Sequence, residues 1–177
     1  LFVPYGTEGF YIYNASTGDV LKSLGTNTDD SFLAPPAVYR DTVVFGESSF
    51  ASFDSTGPNL TVYNVTSDTT RTITADSSLG GAPAIRNGKM YISYDDSFGG
   101  ELRSFDLQGN QLWSQQKVSS STAAPTVYKN KIVHVGSQQH NISVFEADTG
   151  NQIWEINWSE GGAKSSGSFI EDSVAVR

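Results

Sequence analysis

A two-part pattern returns along this chain every 42 to 47 residues, and no fold that ignores the repetition can accommodate it. The first part is an apolar strand introduced by Pro, then a polar turn and a second strand. It reads "APPAVYRDTVVFG" (34–46), "GAPAIRNGKMYIS" (81–93) and "AAPTVYKNKIVHV" (123–135), and "SGSFIEDSVAVR" (166–177) repeats it without the Pro. The second part reads "YIYNASTGDVLK" (11–22), "TVYNVTSDTTRT" (61–72), "RSFDLQGNQLW" (103–113) and "SVFEADTGNQIW" (143–154). Its aromatic column is Tyr13, Tyr63, Phe105 and Phe145. Asn14, Asn64, Asp106 and Glu146 follow, and a turn comes at Gly18, Asp68, Gly109 and Gly150.

The turn chemistry identifies the elements. Arg40-Asp41, Asn87-Gly88, Lys129-Asn130 and Glu171-Asp172 each sit between two short runs rich in β-branched and aromatic residues. Asn-Gly is the strongest tight-hairpin signal, because both residues accept positive φ. Thr17-Gly18 and Thr149-Gly150 mark the next hairpin, with Gly in the left-handed position. The runs alternate with period two, as half-buried strands do, and no stretch sustains a helical period with caps. Each repeat is therefore four short antiparallel strands, and the chain is predicted to be all-β with almost no helix.

A lone sheet of this size buries too little to be stable, so the repeats must cover one another's faces. Four strands per unit at this period is the β-propeller signature. The blades are read as 1–33 (lacking its first strand), 34–80, 81–122 and 123–163, with a further blade starting at 164–177. That is about four and a half blades, and the expectation is a contiguous part of a larger propeller.

Composition removes several classes of function. A net charge of −8 with 11 Lys and Arg leaves no basic track for nucleic-acid phosphates. With no Cys there is neither a disulfide framework nor a thiolate metal site. No apolar run approaches the roughly 20 residues of a membrane-spanning helix. The start, LFVPYG, has no initiator Met and no signal-peptide pattern, so the chain reads as processed or cut from something longer.

The second-part segments resemble the propeller repeats of quinoprotein (PQQ-dependent) alcohol dehydrogenases and their non-enzymatic relatives. The shared pattern is an aromatic or Leu strand, an acidic residue, two variable positions, Thr-Gly, and an apolar-Trp pair. "VFEADTGNQIW" has all of it, "SFDLQGNQLW" has one residue fewer, and "IYNASTGDVLK" has Lys22 in place of Trp. The resemblance implies a propeller in which Trp113 and Trp154 dock between adjacent blades. It also implies PQQ and Ca²⁺ for the enzymatic branch. That branch needs an adjacent Cys pair and a motif around a catalytic Asp, and neither stands in this sequence. The non-enzymatic branch, which includes relatives that assemble membrane proteins, is therefore the expected one: no catalytic residues, no cofactor, and partners that are other protein subunits or further blades.

Other residues are candidate sites. Asp95, Asp96 and Glu101 in "YDDSFGGE" lie where a loop could offer oxygens to Ca²⁺, although an EF-hand spacing is missing. Asp148 reads as an acceptor for turn amides, and His134 as a half-buried strand residue, since its column holds Phe45 and Ile92 elsewhere. Phe50 and Phe53 in the long 47–59 loop read as cover for a blade edge. Five Asn-x-Ser/Thr sequons, at Asn14, Asn59, Asn64, Asn141 and Asn157, exceed what the Ser and Thr content alone supplies. They point to N-glycans and to an extracellular or cell-surface location. The sequence thus describes a scaffold or interaction module, with a quinone- and Ca²⁺-dependent dehydrogenase or a carbohydrate-binding surface as the competing readings.

Overall fold

The computed structural model describes residues 1–5, 9–24, 35–46, 59–74, 78–96, 99–118, 121, 123–136 and 141–157. These residues form sixteen β-strands and no helix, and every strand pairing is antiparallel except that no register is assigned to the shortest strand. The chain divides into two compact units, Leu1–Ser78 and Leu79–Arg177.

The first unit holds two sheets. Strands β1 (Phe2–Tyr5), β2 (Gly9–Tyr13) and β3 (Val20–Leu24) pair in chain order, and so do β4 (Ala37–Tyr39), β5 (Thr42–Gly46), β6 (Asn59–Asn64) and β7 (Thr69–Thr74). Phe10 and Ile12 of β2 pack on Val43 and Phe45 of β5 and on Tyr63 of β6, with Phe2 and Leu24 at the margin. The rings of Phe10 and Phe45 stack in parallel with centroids 4.0 Å apart. Both are fully buried, which stabilises by about 2 kcal/mol each before the stacking term is counted.

The second unit repeats the plan. Strands β9 (Ala84–Arg86), β10 (Lys89–Asp96), β11 (Gly99–Asp106) and β12 (Gln111–Val118) form one sheet, and the short β8 (Ser78–Leu79) adds to β10. The other sheet is β13 (Thr126–Tyr128), β14 (Lys131–Gly136), β15 (Asn141–Glu146) and β16 (Gln152–Asn157). Tyr91, Leu102 and Val118 of the first sheet meet Ile132, Phe145 and Ala147 of the second, with Trp113 packed against them.

Three of the expected hairpins, at Arg40-Asp41, Asn87-Gly88 and Lys129-Asn130, form with two-residue turns. Asn87 and Gly88 both take positive φ, 51° and 75°, as a type I′ turn requires. Arg40 and Lys129 occupy the same place at φ 55° and 52°, although neither type favours the left-handed region. Each lays its cationic end over the ring of the preceding tyrosine, Tyr39 or Tyr128, at 5.3 and 5.1 Å.

A β-bulge explains the apolar-Trp pair. Ile12 pairs with Lys22 but Tyr13 pairs with Val20, so Leu21 has no partner. Leu112 is skipped in the same way between Trp113 and Gln111, and Ile153 between Trp154 and Gln152. The extra residue is left at the surface, where Leu21, Leu112 and Ile153 are 63%, 44% and 43% exposed, and the residue after it returns to the inter-sheet face. The sheet β4–β7 carries no such shift in its last pair, in line with its loosely matching repeat.

Candidate functional site: the seams between sheets

In the second unit, Trp113 leaves the bulge of β12 and sits on the turn of the next sheet. Its indole Nε1 donates to the Ala147 carbonyl at 3.1 Å. Gly150 lies beneath the ring at φ 75°, and a Cβ there would come within 2.6 Å of Trp113 Cε3. Glycine is thus required twice, for the left-handed turn and for the close approach. Beside this wedge, Lys89 Nζ donates to Asp148 Oδ1 at 2.6 Å. The ammonium hydrogen bond holds the Asp148 carboxyl below its usual range. Asp148 was expected to accept turn amides; its side chain reaches the neighbouring sheet instead. Burial, and the charge of Asp148, push the Tyr91 hydroxyl up to about 12.

The acidic or amide column does cap the turns. Asp106 Oδ1 accepts from the Gln108 and Asn110 N–H groups at 2.9 and 2.8 Å. Burial acts to raise this carboxyl, but those bonds and the Asn110 side-chain amide outweigh it and hold it low. Glu146 accepts from the Thr149 hydroxyl at 2.7 Å. Asn14 Oδ1 accepts from Ser16 and Thr17 N–H, and Asn64 Oδ1 from Ser67 N–H.

The first unit uses different residues in the same columns. Lys22 stands where Trp113 stands, and its Nζ bonds Asp68, which occupies the column of Gly150. Asp68 takes positive φ, 54°, and also accepts from the Tyr63 hydroxyl at 2.9 Å. Lys22 Nζ lies 5.1 Å from the Tyr63 ring centroid. The lysine hydrogen bond, and then the tyrosine one, lower the Asp68 carboxyl. The signal was present in the sequence, since the Trp and Gly columns depart together, but no reading paired them.

A second feature was missed. Register places His134, Ser143 and Glu155 side by side across β14, β15 and β16, with Asn141 on the same face. Ser143 Oγ donates to Glu155 Oε2 at 2.7 Å. Cross-strand pairing likewise puts Ser93 and Ser104 on the face that carries Tyr91, Leu102 and Trp113. Neither ring nitrogen of His134 has a hydrogen-bond partner, and the same is true of Ser93 Oγ, Ser104 Oγ and Asn141 Oδ1. His134 was expected to be half-buried; it is 1% exposed. Burial lowers its pKa to about 4 against the opposing pull of Glu155, so the ring is neutral at pH 7. Its edge faces Phe145 at 6.5 Å.

The remaining candidates lie apart. Asp95 and Asp96 belong to β10 itself, opposite Gly100 and Gly99, rather than to a free loop, and their side chains are outside the described residues. Glu101 pairs with Arg103 Nη2 at 2.5 Å, both side chains being largely buried. Among the described residues no three His, Asp or Glu side chains gather as a metal site. Trp154, expected to dock like Trp113, is 47% exposed on β16. Of the sequons, Asn141 is buried and Asn64 Nδ2 is bonded to Asp41 at 3.1 Å, whereas Asn14 stands on an exposed turn. Asn157 ends β16 and Asn59 opens β6, with the Asn59 side chain outside the described residues. Phe50, Phe53 and the hairpin at 166–177 also fall outside them.

Repeated antiparallel sheets of three to five strands in chain order, three of them with a bulge before the wedge position, define a β-propeller protein of the PQQ-like repeat class. Residues 1–176 match the family described as outer membrane protein assembly factor BamB, and the chain belongs to that family. Among solved structures it is similar to BamB from Moraxella catarrhalis, at 14% identity and TM-score 0.63 over 89% of this chain and 48% of that one. It is also similar to Hsv2p from Kluyveromyces lactis, at 14% identity and TM-score 0.58, covering 88% of this chain and 47% of that one. Quinohemoprotein alcohol dehydrogenase from Comamonas testosteroni matches at 17% identity and TM-score 0.54, covering 71% of this chain and 21% of that one. The chain thus spans about half the length of the first two and about a fifth of the third. None of the curated proteins matches its sequence.

Proposed function

We propose that this chain is a non-catalytic propeller module that serves as a protein-docking platform at the cell envelope, in a secreted or surface-exposed protein. The observation that carries the reading is the BamB family match over residues 1–176, a family described by its part in outer-membrane protein assembly. The chemistry of the seams agrees with it. The acidic and amide residues that resemble a reactive column are occupied in capping turns, and the tryptophan and lysine columns are occupied in joining sheets. The partner class is a protein of the envelope, and Asn14, on an exposed turn, is the sequon best placed to carry a glycan. The test is crosslinking of the purified chain to isolated cell envelopes, read by mass spectrometry. A discrete protein adduct is expected. A quinone absorbance with dye-linked alcohol oxidation would overturn the reading, and so would the absence of any adduct.

A further inference from the structure

The sequence contains one Asn-Gly pair, Asn87-Gly88, and the fold places it at the tip of the β9–β10 hairpin. Other turn asparagines are held by their side chains. Asn14 Oδ1 accepts from Ser16 N–H, Asn64 bonds both Ser67 N–H and Asp41, and Asn110 Nδ2 donates to Asp106. The Asn130 side chain bonds Asp148. Asn87 is exposed, and among the described residues its side chain has no hydrogen-bond partner. The held asparagines are each followed by a residue with a Cβ. Gly88 has none, and a Cβ built on it would meet nothing within 4 Å.

This combination sets up a covalent reaction that needs only water. The Gly88 main-chain nitrogen attacks Asn87 Cγ. A C–N bond closes a five-membered imide, the Cγ–Nδ2 bond breaks, and the Gly88 proton leaves with the amide nitrogen as ammonia. Water then opens the imide at one of its two C–N bonds and yields aspartate or isoaspartate, with no change of oxidation state. A side chain on the attacking residue crowds the ring closure, and glycine removes that obstacle.

The native turn holds the two reacting atoms apart. Asn87 and Gly88 have φ 51° and 75°, and a type I′ turn sets ψ of its first residue to about 30°. At that angle Gly88 N lies on the far side of the Cα–C bond from Cβ, so the ring closes only after the peptide between the two residues rotates. The rotation breaks the turn, and the hairpin behind it is short. Strand β9 has three residues, with Arg86 paired to Lys89, Ile85 to Met90 and Ala84 to Tyr91.

We infer that Asn87-Gly88 is a site of spontaneous covalent modification, closed in the native turn and opened by fraying of the β9–β10 hairpin. The two products differ in consequence. Aspartate tolerates the left-handed conformation and keeps the turn, adding a negative charge two residues from Lys89, whose ammonium holds Asp148. Isoaspartate routes the main chain through Cβ and Cγ, so a turn of two residues no longer brings Arg86 opposite Lys89. Ala84 and Tyr91 pack in the seam with Ile132 and Phe145, and this product therefore loosens the seam from the β9 side.

The test is peptide mapping by mass spectrometry of the full chain after incubation at mildly alkaline pH, native and in guanidinium chloride, with fragmentation that separates the two products. Conversion is expected at Asn87 ahead of every other asparagine, and slower in the native chain by about ten- to a hundredfold, the protection given by a local opening equilibrium. Lys89→Ala releases Asp148 and is expected to speed conversion in the native chain while leaving the denatured rate unchanged. Asn87→Gly keeps a type I′ turn without the reacting amide. It is expected to hold its melting temperature through the incubation, whereas the isoaspartate fraction of the parent melts lower. Another asparagine converting first in the native chain, or no conversion at Asn87 there through many half-times of the denatured reaction, would overturn the site. Equal native and denatured rates, or a native rate untouched by Lys89→Ala, would overturn the gate.

Discussion

In the unit Leu1–Ser78, Phe45 lies flat on Phe10 with 4.0 Å between centroids; in Leu79–Arg177 the same two columns hold His134 and Leu102. Ile12 in the first seam corresponds to Ser104 in the second, and Pro4 to Ser93. The first seam is closed by apolar contact and fastened at its rim by Lys22 and Asp68. The second carries buried polar atoms and is fastened by Trp113 on Gly150 and by Lys89 with Asp148. Each unpaired buried donor or acceptor costs about 1–3 kcal/mol, so the second seam depends more on its fastening. The difference shows that the scaffold fixes where side chains meet and leaves open what they are, provided that both sides of a column change together.

If the wedge is what offsets the polar layer, removing it should hurt most. Trp113→Ala deletes a large ring, leaves the floor of Gly150 open and orphans the Ala147 carbonyl. An expected loss of about 4 kcal/mol follows, read as the shift in urea midpoint at constant slope. A loss no larger than that of an exposed substitution would break the comparison. The unit Leu1–Ser78 has no tryptophan, so the corresponding truncation, Lys22→Ala, removes a partly exposed ion pair with Asp68 and a cation–π contact with Tyr63, and should shift the midpoint far less.

The acid response separates the seams next. His134 is neutral in the folded protein, with a pKa lowered to about 4, while in the unfolded chain it titrates near 6.5. A base whose folded pKa is depressed contributes its full stability above pH 6.5, and that stability drains away as pH falls through 6.5 toward 4. The loss by pH 4 is about 2–3 kcal/mol, since one pKa unit is worth about 1.4 kcal/mol. His134→Leu should flatten the melting temperature between pH 7 and pH 4, and should raise it at pH 4. An unchanged acid slope would show that the ring is not held in a dry layer. Asp68 and Asp148 also lose their ion pairs in acid, but their carboxyls are lowered and protonate below that window.

Much of the fold was legible because hairpin turns and period-two alternation are local. Asn87-Gly88 announces its own geometry, and the Trp-Gly columns recur often enough to be aligned. The seams were less legible because they depend on register. A shift of one residue turns every side chain to the other face, and nothing within "KIVHVG" says that His134 will stand beside Ser143 and Glu155. The bulges are the clearest case. The apolar-Trp pair was visible in the sequence, but only the ladder shows that Leu112 is the extra residue and Trp113 the one returned to the seam. The Glu146 column misled in the opposite sense, since an acidic residue before a Thr-Gly turn resembles a site and is a cap.

The smallest expected effect is also the most direct comparison of the two fastenings. Lys22 and Asp68 depart together from the Trp and Gly of the other unit, and the bulge at Leu21 already presents position 22 to the seam as Leu112 presents Trp113. Lys22→Trp alone would drive an indole against the Asp68 side chain, where even the Cβ of an alanine would be too close by the geometry of Gly150, and should destabilise. Asp68→Gly alone relieves a positive φ but strands the ammonium, two effects of opposite sign that leave little net change. Made together, the substitutions install the wedge and its seat, with Tyr63 beneath in the place of Phe145. The double variant should therefore melt at or above the parent temperature, although Lys22→Trp alone melts below it, a non-additivity that a double-mutant cycle reads directly. If the two changes simply add, the columns are not coupled, and the pairing of Lys22 with Asp68 is a surface contact without a part in joining the sheets.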